Sequence, residues 1–346
     1  APPAGGAEDE RRGGPEMRAA WYESQGPAEK VLRLGEIPTP EPGPGEARVR
    51  LMASGVNPAD MNRRAGPAHV MEGPRIVPHS DGAGVVDAVG PGADSALIGR
   101  RVWLYNGQRG GRAMGTAAEA IALDASLLTP LPDHVSFEEG ACLGIPCMTA
   151  WCCVHSDGPV TDKTVLVTGG AGAVGAYAVQ HAARDGARVI ATVSDDASAA
   201  AARAAGAAVA LRRDAPDLAD EILEAASGPV DRIVEVDLGG DAAVAQRVIG
   251  TNGVIAAYAS RGDPRPALDA YGLLRRNVTL RMFLLPIAPL PLRQAAQAGI
   301  AAWLADPAAP ARHAVAARFP LDRIVEAHHA VEAGGKRGTV VVCPAE

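Results

Sequence analysis

No apolar run in these 346 residues approaches the roughly 20 needed to cross a bilayer as a helix. An excess of positive charge is also missing. Lys and Arg number 33 against 40 Asp and Glu, for a formal net charge of −7, and the basic residues are scattered along the chain. Neither nucleic acid nor an anionic membrane surface is therefore expected as a partner. Cysteine is scarce, at five residues. Four are bunched at Cys142, Cys147, Cys152 and Cys153, but on a mostly apolar stretch and not in the paired C-x2–4-C units of a structural zinc site. They read as small buried thiols in a reduced compartment, with no metal. Ala1 to Glu16 are rich in Ala, Gly, Pro and charge with no apolar segment, so they are expected to form a disordered extension and not a signal peptide. The expectation is a soluble, cytoplasmic protein.

What is present begins with 47% hydrophobic residues, enough core for two domains at this length. The most informative stretch is Lys163-Thr-Val-Leu-Val-Thr-Gly-Gly-Ala-Gly-Ala-Val-Gly175 followed by Ala176-Tyr-Ala-Val-Gln-His-Ala-Ala. A β-branched apolar run breaks into glycines and continues with helical character, predicting strand, tight turn and helix. Gly170, Gly172 and Gly175 hold G-x-G-x-x-G spacing, with Ala171, Ala173 and Val174 between them. Backbone N–H groups at such a helix start can approach a pyrophosphate that a Cβ would keep away.

Upstream, short alternating runs divided by Gly, Pro and Asn predict a mostly β, rolled or barrel-like unit. They are 17–22, 32–37 as the hairpin partner of the first, 46–54, 81–90, 101–105 and 117–123. Helical periodicity starts near Ser136, with Ser136 and Glu139 spaced as a capping box. Strands 188–193, 207–211, 231–236, 253–258 and 278–283 then alternate with helices, which implies a doubly wound parallel sheet. The tail, with helices 292–305 and 322–333 and strand 338–343, is too short to fold alone and is expected to rejoin the first unit.

Several motifs in order add specificity: Gly55-Val-Asn-Pro-Ala-Asp60, Ser80-Asp-Gly-Ala-Gly-Val-Val, Gly144-Ile-Pro with Thr149-Ala150, the glycine turn, and Gly253 to Gly262. Together they resemble the zinc-independent quinone oxidoreductase (zeta-crystallin-like) branch of the medium-chain dehydrogenase/reductase family, over about residues 17 to 346. The resemblance implies an α/β fold in which a GroES-like catalytic domain, 17–142 and 283–346, is interrupted by a Rossmann cofactor domain, 143–282. Zinc-dependent relatives carry a Cys before Asp-x-His in the first motif and Gly-His-Glu in the second. Here Asn57 opens the first, Ser80 and Asp81 replace His and Glu, and His79 sits one residue too early.

With no metal, the resemblance implies hydride transfer from NADPH to a quinone or other electron-poor enone. The alternatives are an enoyl reductase acting on a polyketide-like or acyl-thioester intermediate, and a nucleotide-binding protein without turnover. Asn57 resembles the residue beside the nicotinamide and could bond the substrate carbonyl, or merely cap its turn. Thr149 resembles the threonine near the carboxamide. Asn62 stands where many relatives hold a Tyr, so a tyrosine proton donor is lost; Tyr105 and Tyr258, both on predicted strands, are possible replacements. Asp195 has the spacing of an NAD-type ribose acid but leads straight into a helix, where Asp is an ordinary N-cap. Ser194 and Arg213 are the candidates for a 2′-phosphate, and Lys336 is a further one. Tyr258 and Phe283, at the ends of two predicted sheet strands, complete the cofactor set. Pairing of the edge strand 278–283 across a two-fold axis suggests a homodimer.

Overall fold

The computed structural model describes residues 15–66, 69–308 and 310–346. Residues 1–14 of the expected extension lie outside the described residues. Its last residues differ from that expectation: Glu16 begins the first strand and pairs with Pro38, and the Pro15 carbonyl accepts the Thr39 N–H.

The first unit is built from β1 (Glu16–Trp21), β2 (Arg33–Pro38), β3 (Glu46–Val56), β4 (Asp81–Val89), β5 (Arg101–Leu104), β6 (Ala120–Asp124) and β7 (Leu128–Pro130). β1 and β2 pair antiparallel as expected, and the one-turn helix Ala28–Val31 stands in the connection between them. The long strand β3 shows why alternation predicts this unit. Ala47, Val49, Leu51 and Ala53 point inward and are fully buried, while Arg48 and Arg50 face outward.

The second unit holds β8 (Thr164–Val167), β9 (Arg188–Val193), β10 (Val209–Arg212), β11 (Val230–Glu235), β12 (Ile249–Ala257) and β13 (Thr279–Met282). All pair parallel, in the order β10-β9-β8-β11-β12-β13. That is the doubly wound order, and its direction reverses between β8 and β11, where open α/β sheets bind ligands. Ser136 and Glu139 form the expected box, each side chain accepting the other's N–H at 3.2 and 2.8 Å, but the helix they start stops at Gly140. An irregular turn, Leu143–Cys147, then leads into helix Met148–His155.

The tail returns as expected. β14 (Val315–Pro320) pairs with β15 (Thr339–Cys343), and β15 lies antiparallel against β3 in a seven-stranded sheet. Helix Leu290–Leu304 packs on helix Met148–His155, so one hydrophobic core runs from Val49 and Trp103 through Cys152 to Val167 and Ile300. All five cysteines are free and buried within this packing. Among the described residues no helix is long and apolar enough to cross a membrane.

Candidate active site

The glycine turn follows β8. Gly172 is the N-cap of helix Ala173–Arg184, whose first N–H groups, as at any helix start, lack intrahelical partners. The three glycines differ in what surrounds them. A Cβ on Gly175 would lie 2.1 Å from the Gly169 carbonyl oxygen, and one on Gly170 would lie 2.6 Å from the Ala191 Cβ. These two let turn, helix and sheet pack. On Gly172 a Cβ would meet only the Gly169 oxygen, at 3.2 Å, so this glycine faces open space.

The other expected cofactor residues gather at the carboxyl edge of the same sheet. Ser194 follows β9, Arg213 follows β10, Tyr258 follows β12 and Phe283 follows β13. Tyr258 and Tyr105 each lie one residue beyond a strand, a small departure from their expected place on it. Arg213 donates its N–H to the Val193 carbonyl, which sets it beside Ser194. Asp195 is occupied as a cap: Oδ1 accepts the Ser198 N–H at 2.7 Å and Oδ2 accepts the Ser194 hydroxyl at 3.0 Å. Arg337 adds an ion pair at 3.6 Å. These bonds hold the Asp195 carboxyl below its ordinary range, chiefly through the Ser198 amide. Lys336 turns back, donating from Nζ to the Gly338 carbonyl, and Gly338 in turn bridges to Gly172. Arg337 was not singled out from sequence; only the fold brings residue 337 to residue 195.

The expected catalytic residues divide. Asn57 N-caps helix Pro58–Ala65 and is 4% exposed. Its N–H donates to Asp60 Oδ2 at 2.8 Å, and its Nδ2 donates to Asp81 Oδ2 at 2.7 Å. Asp60 also meets the buried Arg109 guanidinium at 3.4 Å. Thr149 lies in the first turn of helix Met148–His155, just past the irregular turn whose Ile145 N–H donates to the same Asp81 oxygen at 2.9 Å. Asn57, Asp81 and the approach to Thr149 are thus tied together. Asn62 is exposed on the helix Asn57 caps and takes no part in that cluster. Burial pushes the Asp81 carboxyl up to about 8, against the opposing pull of the Asn57 and Ile145 N–H groups.

The chain matches the family "Alcohol dehydrogenase GroES-like domain" over residues 43–133 and "Zinc-binding dehydrogenase" over 173–298. A mycobacterial protein solved in complex with NADPH is 31% identical, with a TM-score of 0.81, covering 95% of this chain and all of that one. The quinone oxidoreductase of Rattus norvegicus is 26% identical over 333 residues, 93% of this chain and 95% of its own length. The chain belongs to the quinone oxidoreductase, zeta-crystallin-like, branch of the medium-chain dehydrogenase/reductase family. A 2-methylene-furan-3-one reductase of Solanum lycopersicum is 25% identical over 340 residues, 95% of this chain and 79% of its own length.

Two outcomes follow from this geometry. Gly175→Ala should cost about 1–3 kcal/mol of stability, because its Cβ meets backbone that cannot retreat, whereas Gly172→Val should leave the thermal midpoint within a few degrees. Unfolding of the two unliganded variants compares them directly. Asp81 gives the second. Its carboxyl ordinarily titrates near 3.8 and in the folded protein near 8. Between those values the native state holds a proton that the unfolded chain has released, so this group's contribution to stability falls as pH rises through the window. Asp81→Asn removes the titration, and the wild type should lose up to about 1.4 kcal/mol per pH unit relative to the variant. Urea unfolding of both proteins at pH 5 and pH 7.5 measures the difference.

Proposed function

We propose that this protein is an NADPH-dependent reductase that transfers hydride to a small quinone or enone without metal. The observation that carries the reading is the open Gly172 cradle at the switch point of the parallel sheet, at the start of helix Ala173–Arg184, on which packs the same turn, Leu143–Cys147, that touches Asp81 and so Asn57. The relatives named for quinone and furanone reduction, and the NADPH of the mycobacterial structure, support it.

The cofactor would supply a hydride from the nicotinamide C4, and the chain's own residues would bind and orient. Ala173, Val174 and Gly175 offer helix-start N–H groups to the pyrophosphate, with Gly170 and Ala171 forming the turn. Arg213 and Arg337 offer two guanidinium groups to a 2′-phosphate, Arg337 from its ion pair with Asp195, and Ser194 would join them by turning its hydroxyl from Asp195. Asp195, spent on its cap and ion pair, is a poor acceptor for a free 2′-hydroxyl. Tyr258 and Phe283 would border the nicotinamide end, and Lys336 fixes the turn that carries Arg337. Asn57 donates to the substrate carbonyl as negative charge builds there, and Thr149 holds the carboxamide. With Asn62 in place of a phenol, the reduced quinone leaves as a stabilised anion that water protonates.

Zinc does not suit the residues present. Asn57 and Ser80 replace ligands, the Asp81 oxygen that faces Asn57 already accepts two N–H groups, and no cluster of three or more His, Cys, Asp or Glu placed for a metal occurs among the described residues. We also infer a homodimer. β13 is the sheet's edge strand, and Met282, Leu284, Ile287 and Leu290 expose apolar surface along and beyond it. The segment boundaries follow the same reading, with 143–282 as the cofactor domain and 17–142 with 283–346 as the catalytic one.

The decisive assay follows NADPH consumption against a small quinone, a small enone and an acyl thioester. Turnover is expected with the first two, and NADH should serve at least tenfold less well in kcat/KM. Preference for the thioester would assign the enoyl reductase reaction instead, equal use of NADH would remove the 2′-phosphate site, and no turnover with any acceptor would leave a binding protein. Light scattering at micromolar concentration should give twice the chain mass, and Met282→Glu on β13, where the side chain is exposed, should reduce it to the monomer value; a monomeric wild type would refute the pairing.

A further inference from the structure

Asp81 is fully buried and belongs to none of the expected contacts with cofactor or substrate. It lies at the start of β4, paired with Gly55 of β3, and its main-chain carbonyl accepts the Thr116 hydroxyl at 2.6 Å. The carboxyl is wedged into a slot of glycines. A Cβ on Gly144 would lie 2.2 Å from Asp81 Oδ1, and a Cβ on Gly55 would lie 3.2 Å from the Asp81 Cβ and 2.3 Å from the Ala141 carbonyl oxygen. Gly144 also breaks the helical path of its turn, with φ −65° and ψ −115°. The backbone is bent there so that the Ile145 N–H can reach the carboxyl.

Within that slot the two oxygens are unequal. Oδ2 accepts from Asn57 Nδ2 and from the Ile145 amide, while Oδ1 is buried with no hydrogen-bond partner. A buried oxygen without a partner costs about 1–3 kcal/mol, so the slot is not arranged for stability alone. Its effect falls on Asn57. An amide facing an oxygen that can only accept must present its NH2, because turning its own C=O toward Asp81 would set acceptor against acceptor. A proton on the carboxyl belongs on Oδ1, since Oδ2 already accepts two N–H groups. With the proton on the partnerless Oδ1, Oδ2 goes on accepting both N–H groups, so the observed orientation of Asn57 persists when the carboxyl is protonated.

We propose that Asp81 is a positioning residue that locks the Asn57 amide with its nitrogen inward, leaving one N–H on that nitrogen and the amide oxygen in fixed directions for substrate. This rests on the reading of Asn57 as the donor to the substrate carbonyl. The locked donor matters most when charge develops on the carbonyl oxygen, so its loss falls on kcat and spares cofactor binding.

The test is a double-mutant cycle with NADPH and a small quinone. Asn57→Ala should lower kcat at least tenfold and leave the NADPH Kd within threefold. Asp81→Leu, branched at the same carbon though larger and without an acceptor, should lower kcat at least fivefold, again with NADPH binding intact. The double variant should fall no more than about twofold below Asn57→Ala, because Asp81 acts only through Asn57. Asp81→Asn keeps an acceptor oxygen in the place of Oδ2 and should retain kcat within threefold; being nearly isosteric, it gives a reading even if the Leu variant does not fold. Full additivity of the two losses, wild-type kcat in a folded Asp81→Leu, or a tenfold loss in Asp81→Asn would each overturn the inference. An unchanged kcat in Asn57→Ala would instead remove the role assigned to Asn57, and with it the step on which this inference stands.

Discussion

The arrangement of the site depends on the return of the chain's last strand to its first sheet. β15 inserts between β14 and β3, and the turn before it brings Gly338 into a bridge with Gly172. Gly338 has φ +93°, and a Cβ there would lie 2.0 Å from the Ala314 carbonyl oxygen. Only glycine lets the backbone come this close. That close approach is to Ala314 in the tail itself, and from there the Gly338–Gly172 bridge holds the turn that carries Lys336 and Arg337 against the start of helix Ala173–Arg184. The shared core beneath, continuous through helix Met148–His155, makes the two units pack as one body around the cleft residues.

The repeating parts of this architecture were legible in the sequence because they obey local periodicity. Alternation marked β3, and β-branched runs followed by helical segments marked β8, β9, β11 and β12. The glycine spacing located the turn to the residue. Shorter or less regular pieces were not legible. β7 has three residues and is defined by its pairing with β5. The turn Leu143–Cys147 lies in an apolar stretch of otherwise helical character; Pro146 marks a break there, but its form comes from Gly144 bending so that the Ile145 N–H reaches Asp81. The Ala28–Val31 turn separates two strands whose pairing was correctly expected.

At the site, residues next to a motif were legible and residues brought in by tertiary pairing were not. Asn57, Ser194 and the glycines stand within recognisable local patterns. Arg337 meets Asp195 only because the tail folds back across 142 residues of sequence. Asp81 was visible as a replacement for a zinc-dependent relative's Glu, but its bond to Asn57 depends on the register of β3 against β4. A sequence pattern cannot specify that register to the ångström.

His79 shows what a shift of one residue does. It neighbours Ser80, which holds the place of a zinc-ligating His in relatives, yet it has φ +76° and turns away from Asn57 into the packing beneath helix Ile324–Glu332. There it joins a buried chain. Its Nδ1 lies 2.9 Å from Ser54 Oγ, Ser54 Oγ lies 2.7 Å from Thr116 Oγ1, and its Nε2 lies 2.9 Å from His328 Nε2. The direction of every bond is fixed from one end. Thr116 spends its only hydroxyl proton on the Asp81 carbonyl, so Ser54 must donate to Thr116 and His79 must donate from Nδ1 to Ser54. Burial holds the His79 imidazole at about 4, hence neutral at pH 7, so its Nε2 is bare and accepts from His328 Nε2–H. Because the chain ends on a carbonyl oxygen, it delivers no proton to the cleft. It anchors β3 and β4 to the returning helix, and so fixes the register on which the contact between Asn57 and Asp81 depends.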